Sequence, residues 1–441
     1  MNRARATSEN LTAVRRREKG RAKTRSLFAI LAVLALSGVS ASAQDRWVAA
    51  WTFPSVSVVG PVIAPTPPNP NDIRGPAGLD SVADRTLRQI ISISAGGSAV
   101  RLRLSNLYGA APLRIGAISV STADGAPLPV TFDGSRAVSI PAGAPRLSDP
   151  VPVPLRPGDS LTVSIFYPKQ TTLPHHRARM IVQDGDMTAS PLPIDAPRLR
   201  MGGPVTGIEV RTDAPIDVIV AFGDSITEGV SASPSSSGGW PERLAERMRA
   251  AGRPWSVVNG GIGGNRLLHR GSGPSGLERL DSDALAVPGA RCIILLEGIN
   301  DLGRPARTEY AHEAITADDL ISGYRQVIAR AHAAGLKTVI ATLPPFEGFS
   351  YFSEVGEAIR QATNAWIRTS GEPDGVIDFD AAIRDPSDAR SLLEAYDSGD
   401  GLHPSDAGYQ AMANVIPLTA CDVGLDPALL SDGADRLTAP S

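Results

Sequence analysis

Two short stretches in the second half of this 441-residue chain hold the residue types that acyl transfer needs. The first is Val218-Ile219-Val220-Ala221-Phe222-Gly223-Asp224-Ser225, an apolar run broken by Gly-Asp-Ser. A serine at such a strand-to-helix turn places its hydroxyl at the C-terminal edge of a sheet, where open α/β folds bind ligands. Ser225 is therefore a candidate nucleophile. Asp224 and Ser225 are equally the residue types that cap a helix, so this stretch by itself leaves both readings open. The second stretch is Asp397-Ser398-Gly399-Asp400-Gly401-Leu402-His403-Pro404. An Asp three residues before a His in a tight turn folds back on the imidazole, fixes its tautomer and stabilises its protonated form. His403 is thus the candidate base and Asp400 its orienting acid.

Two further turns offer donors for a developing oxyanion. Gly260-Gly261-Ile262-Gly263-Gly264-Asn265-Arg266 lets backbone N–H groups approach a ligand closely. It lacks the full dinucleotide fingerprint. Gly298-Ile299-Asn300-Asp301 brings an amide side chain to a turn that follows a strand. Asp224 is read as a structural residue that holds its turn. His269, His312 and His332 sit in or beside helical stretches and are read as surface or packing residues. His175-His176 lacks metal-ligand spacing and has no Cys or carboxylate cluster beside it, so no metal is assigned.

The elements that must position these residues are strands alternating with helices. Strands are expected at Val218–Phe222, Trp255–Asn259, Cys292–Leu296, Thr338–Leu343 and Val376–Asp378. Helices are expected at Pro241–Ala251, Asp318–Ala334, Glu354–Thr369 and Ala407–Thr419. Such alternation implies an α/β domain with a parallel, doubly wound sheet. Between Trp47 and Ile194 the pattern is instead short alternating strands, the sign of an all-β sandwich of jelly-roll type. Leu87–Ser94 and Ala99–Leu104, joined by Ala95-Gly96-Gly97-Ser98, read as a hairpin. A proline-rich loop covers Gly60 to Gly78. The Pro/Gly-rich stretch from Asp195 to Ile216, with one β-like piece at Ile208-Glu209-Val210, reads as the boundary.

Residues 1–43 read as a signal peptide. Arg15-Arg16-Arg17, Lys19, Arg21, Lys23 and Arg25 form a basic start, Leu27 to Leu36 an apolar run, and Ala41-Ser42-Ala43 a cleavage site after Ala43. The expected organisation is 1–43 signal peptide, 44–212 sandwich with linker, and 213–441 catalytic domain. The mature chain is expected to be secreted or periplasmic. Removing nine Lys/Arg and two Asp/Glu with the leader takes the net charge from −3 to −10. An acidic chain with no later basic tract is a poor nucleic-acid binder, and no later stretch is apolar enough to span a membrane. Cys292 at a strand start and Cys421 after an antiparallel helix fall towards the same sheet edge. They are candidates for a disulfide, with two separately buried thiols as the alternative.

Taken in order, Gly223-Asp224-Ser225, Gly264, Gly298-x-Asn300-Asp301 and Asp400-x-x-His403 resemble the four motif blocks of the GDSL, or SGNH, hydrolase superfamily. The resemblance spans about residues 214–421. It implies a flavodoxin-like three-layer α/β/α fold with strand order 2-1-3-4-5, and a Ser225–His403–Asp400 triad. It also implies an oxyanion hole made by the Ser225 N–H, the Gly264 N–H and the Asn300 side chain, with Gly263 or Gly261 as the donor if the loop register differs. Thr227 stands where the nucleophile elbow of ordinary α/β-hydrolases needs Gly. Leu87-Arg88-Gln89, Arg101 to Asn106, Thr342 to Phe346 and Asp378-Phe379-Asp380 are similar to exported members with an N-terminal β-sandwich. The activity implied is serine esterase hydrolysis of small-molecule or glycan esters. Short-acyl esters, acetylated carbohydrate among them, are favoured, and no cofactor is implied. Lysophospholipase or thioesterase activity is the alternative within the class. A glycan-binding protein with a vestigial hydrolase domain is the alternative from another class.

Overall fold

Alternation of apolar and polar residues makes strands that bury one face. Ala99–Ser105 shows it: Val100, Leu102 and Leu104 are buried, while Arg101 and Arg103 project from the other face onto Glu209, at 2.6 Å each. The computed structural model describes residues 46–56, 81–173, 177–193, 196–233 and 238–422. The expected signal peptide, the Gly60 to Gly78 loop and His175-His176 lie outside the described residues.

The N-terminal part is antiparallel and β-rich. One sheet runs Arg46–Thr52, Val205–Thr212, Ala99–Ser105, Pro145–Leu147 in spatial order. A second runs Arg198–Gly202, Arg177–Asp184, Arg85–Ser92, Ser160–Tyr167, Ala117–Thr122, Leu128–Val130. Two expectations change here. Arg85–Ser92 and Ala99–Ser105 lie in different sheets and form no hairpin. Ala95 to Ser98 is a crossing between sheets, where a Cβ on Gly97 would stand 2.3 Å from Arg211 O and one on Gly96 2.6 Å from Leu155 O. These glycines serve close backbone approach rather than a reversal. The stretch read as a linker is likewise ordered as two strands, Arg198–Gly202 and Val205–Thr212. The second is a central strand of the first sheet.

Beyond it lie five parallel strands, labelled β1 (Asp217–Gly223), β2 (Trp255–Gly261), β3 (Ala290–Leu296), β4 (Lys337–Ala341) and β5 (Gly375–Ile377). Their spatial order is β2-β1-β3-β4-β5, the order that the family resemblance implies. Val218 to Phe222 are wholly buried, as a strand covered on both faces requires. The helices are α1 (Ser225–Glu228), α2 (Trp240–Ala250), α3 (Gly276–Leu280), α4 (Ile299–Gly303), α5 (Ala317–Ala333), α6 (Glu354–Thr369), α7 (Phe379–Ile383) and α8 (Asp406–Val415). Side-chain caps open several: Thr316 and Asp319 form a capping box on α5, Ser353 caps α6 and Ser405 caps α8. α8 stops at Val415, short of the expected Thr419. Pro417 forces Ile416 into the extended region, at φ −73° and ψ 116°.

Cys292 in β3 and Cys421 after α8 are disulfide-bonded, with Cα atoms 5.7 Å apart. The same sheet edge holds Asp422, paired with Arg253 and accepting at its carbonyl from Lys337. The strand Arg46–Thr52 rests on β2: Ser256 Oγ donates to Ala49 O at 2.8 Å and Thr52 Oγ1 to Asn259 O at 2.7 Å. The antiparallel and parallel parts belong to one compact unit. Among the described residues no helix is long and apolar enough to cross a membrane.

Candidate active site

The turn after β1 can form only with glycine at its start. A Cβ on Gly223 would lie 2.1 Å from Leu296 O. Asp224 then caps α1, its Oδ1 accepting from Ile226 N at 2.9 Å, and Gly229 closes the helix at φ +88°. The capping reading therefore holds for Asp224. Ser225 does something else: its Oγ lies 2.9 Å from His403 Nε2.

The loop that presents His403 is wound around two aspartates. Asp397 Oδ1 accepts from Gly399 N at 2.9 Å and Gly401 N at 3.1 Å. Asp400 Oδ1 accepts from Leu402 N at 3.0 Å and His403 N at 2.8 Å. Asp400 Oδ2 then meets His403 Nδ1 at 2.6 Å. A carboxylate on Nδ1 keeps the N–H there and leaves Nε2 as the acceptor that faces Ser225. Burial raises the Asp400 carboxyl, but its hydrogen bonds from the His403 ring, His403 N and Leu402 N outweigh that. It stays ionised below the ordinary carboxylate range. Gly401 sits at φ +77°, where a side chain would also strike Gly348. Phe349 stands edge-on to the imidazole, centroids 5.8 Å apart.

The donor loops are joined to one another. Asn300 Nδ2 donates to Asn265 O at 2.9 Å, next to Gly264, and Asn300 Oδ1 accepts from Tyr351 OH at 3.1 Å. This fixes the amide and leaves its second N–H free for a ligand. Asp301 accepts from Leu267 N at 2.7 Å and Leu268 N at 3.0 Å, binding the turn after β3 to the loop after β2. Of the three glycines in question, Gly261 is already committed, its N–H donating to Asn259 Oδ1 at 2.9 Å. Gly264 takes the positive φ, +74°, that such a turn demands.

Beneath these turns lie buried acids. Burial pushes Asp224 up to about 7 despite its bond from Ile226 N. Glu297, wholly buried before Gly298, is held well above the ordinary range by burial and by Asp224. Arg279 is the cation among them, 3.6 Å from Glu297 Oε2. Nothing in the sequence marks Arg279, Glu297, Tyr351 or Phe349. They come from stretches without motif character. His332 and His269 stand apart from this series: His332 pairs with Asp374 at 2.7 Å, and His269 lies 3.8 Å from Asp301.

A five-stranded parallel sheet bearing a hydroxyl, an imidazole and a carboxylate in hydrogen-bonded series at its C-terminal edge puts this part of the chain in the class of α/β hydrolytic enzymes. The family follows from the sequence. Residues 221–411, from within β1 into α8, match the GDSL-like Lipase/Acylhydrolase family, and that match supports an ester hydrolase. Similar solved structures include an acetyl xylan esterase from Geobacillus stearothermophilus, at 21% identity over 45% of this chain and 91% of that one, TM-score 0.36. Another is a GDSL-like lipase from Bacteroides thetaiotaomicron, at 19% identity over 45% of this chain and 85% of that one, TM-score 0.34. No curated protein matches the chain.

Proposed function

We propose that the chain is an exported serine esterase that cleaves short-acyl carboxylic esters, acetylated carbohydrate among them, through an acyl-enzyme on Ser225. The observation that carries this reading is the continuous series Ser225 Oγ, His403 Nε2, His403 Nδ1, Asp400 Oδ2, with links of 2.9 and 2.6 Å. His403 takes the Ser225 proton as Oγ attacks the ester carbonyl. The oxyanion is held by the N–H groups of Ser225 and Gly264 and by the Asn300 amide. Collapse expels the alcohol, which receives the proton from His403. Water, deprotonated by His403, then attacks the acyl-enzyme, and the acid leaves as Ser225 regains its proton.

Ser225 and His403 are each only 6% exposed, which favours a small acyl group at the reacting atom. The buried Cys292–Cys421 bond fits an oxidising compartment, as does the leader read from residues 1–43. We retain the sandwich over 44–212 as a unit distinct in role from the catalytic 213–441. Ser225→Ala tests the reading: hydrolysis of p-nitrophenyl acetate should fall by about 10⁴–10⁶-fold while the protein melts as wild type does. Retained turnover removes Ser225 as the nucleophile. A wild-type protein inert to every ester offered would favour the vestigial, glycan-binding alternative.

A further inference from the structure

Arg279, on the last turn of α3, is 2% exposed, and its three guanidinium nitrogens each reach a different anchor near the reacting groups. Nη2 donates to Gly223 O at 2.8 Å, two residues before Ser225. Nη1 donates to Gly260 O at 2.7 Å and Nε to Asn265 Oδ1 at 2.8 Å, flanking the loop that carries Gly264. Nη2 also lies 3.6 Å from Glu297, three residues before Asn300. One planar fork therefore touches the turns after β1, β2 and β3. A guanidinium holds several acceptors at fixed angles; an ammonium on a flexible stem does not.

The surroundings leave little freedom in that arrangement. Phe222 packs its ring against the fork at 3.9 Å. Asp224 Oδ2 and both Glu297 carboxyl oxygens are buried without a hydrogen-bond partner, and Arg279 is the cation beside Glu297, at 3.6 Å. Moving the turns after β1 and β2 against each other would break a bond to the fork, and moving the turn after β3 would draw Glu297 away from it. The quantity the fork fixes is thus the offset between the Ser225 hydroxyl and the two oxyanion donors outside its own turn. That offset matters most when charge develops on the substrate oxygen, in the transition state, and little when the ester first binds.

We infer that Arg279 is the positioning residue that sets Ser225 in register with Gly264 and Asn300, and that its influence falls on turnover rather than on substrate capture. The inference rests on the serine reading above. Arg88 provides the comparison, because it too is a buried arginine bonded to three backbone carbonyls, those of Met187, Ser190 and Pro191, in the antiparallel part.

Arg279→Lys, Arg279→Met and Arg88→Met are each titrated to completion with a fluorophosphonate, so that rates are expressed per reactive serine. With p-nitrophenyl acetate, kcat per site should fall about 10–100-fold in Arg279→Lys, with KM within about threefold of wild type. Arg279→Met should lose at least as much; where it does not accumulate folded, the lysine variant carries the comparison. Arg88→Met should melt earlier yet keep wild-type kcat per site. A folded Arg279→Lys at wild-type kcat per site, or an equal loss in Arg88→Met, overturns the inference. Failure of wild-type Ser225 to take the label would instead strike the nucleophile assignment.

Discussion

At their C-terminal ends β1, β2 and β3 break into glycine turns that carry Ser225, Gly264 and Asn300 over buried acids. At the opposite edge the sheet is fastened by the Cys292–Cys421 bond and by Arg253 and Lys337 on Asp422. One edge accumulates features that cost stability, including a positive φ at Gly298 of +126° and buried carboxyl oxygens without hydrogen-bond partners. The other adds a covalent crosslink over a sequence separation of 129. The difference sets the candidate site and the fastening at opposite ends of the same strands, so each should be removable with little loss of the other.

The largest test of that separation is Asp400→Asn. The amide cannot hold the Nδ1–H tautomer of His403, so kcat should drop by about 10⁴-fold, read by initial rates, with the melting temperature little changed. Asn300→Ala is next. Losing one proposed oxyanion donor should lower kcat by about 10²–10³-fold with KM nearly constant. At the other edge, Cys292→Ala with Cys421→Ala should cost about 2–5 kcal/mol of stability in urea melts. Its kcat per folded molecule should stay at the wild-type value; a matching fall in kcat would mean that the edges are coupled.

The smallest effect concerns Asp224. Burial raises its folded pKa to about 7 from an ordinary 3.8. Between those values the folded state binds the extra proton, so the group's stabilising share is full below 3.8 and lost as pH rises through about 7. Asp224→Asn keeps an oxygen to cap α1 and cannot titrate. The decline of melting temperature across that window should therefore become shallower in the variant.

Most of what positions the site is visible in local chemistry. An unbroken apolar run with a glycine stop marks β1, and Ser or Thr at the caps marks α5, α6 and α8. The Asp-x-x-His spacing brings Asp400 onto His403 because three residues suffice to turn the chain back. What local chemistry conceals is partnership at a distance. Ala95-Gly96-Gly97-Ser98 has the same composition whether it reverses within one sheet or crosses to another, and only Arg211 and Leu155 decide it. Val205–Thr212 hides behind neighbouring Pro and Gly, although it joins Arg46–Thr52 and Ala99–Ser105, both far away in the chain. Arg279 belongs to a plain helical turn, and its role exists only once three strand ends meet around it.

The strand Arg46–Thr52 has a bearing on how the molecule can be cut. It opens the described chain, pairs with Val205–Thr212 and lies on β2, the first strand in the spatial order of the parallel sheet. A fragment beginning at residue 213 would keep every motif residue, yet it would strip the cover from β2. Bare sheet margins recruit other chains, so such a fragment is poised to associate. The half of the molecule that looks like a transplantable cassette is fitted to its neighbour along that margin.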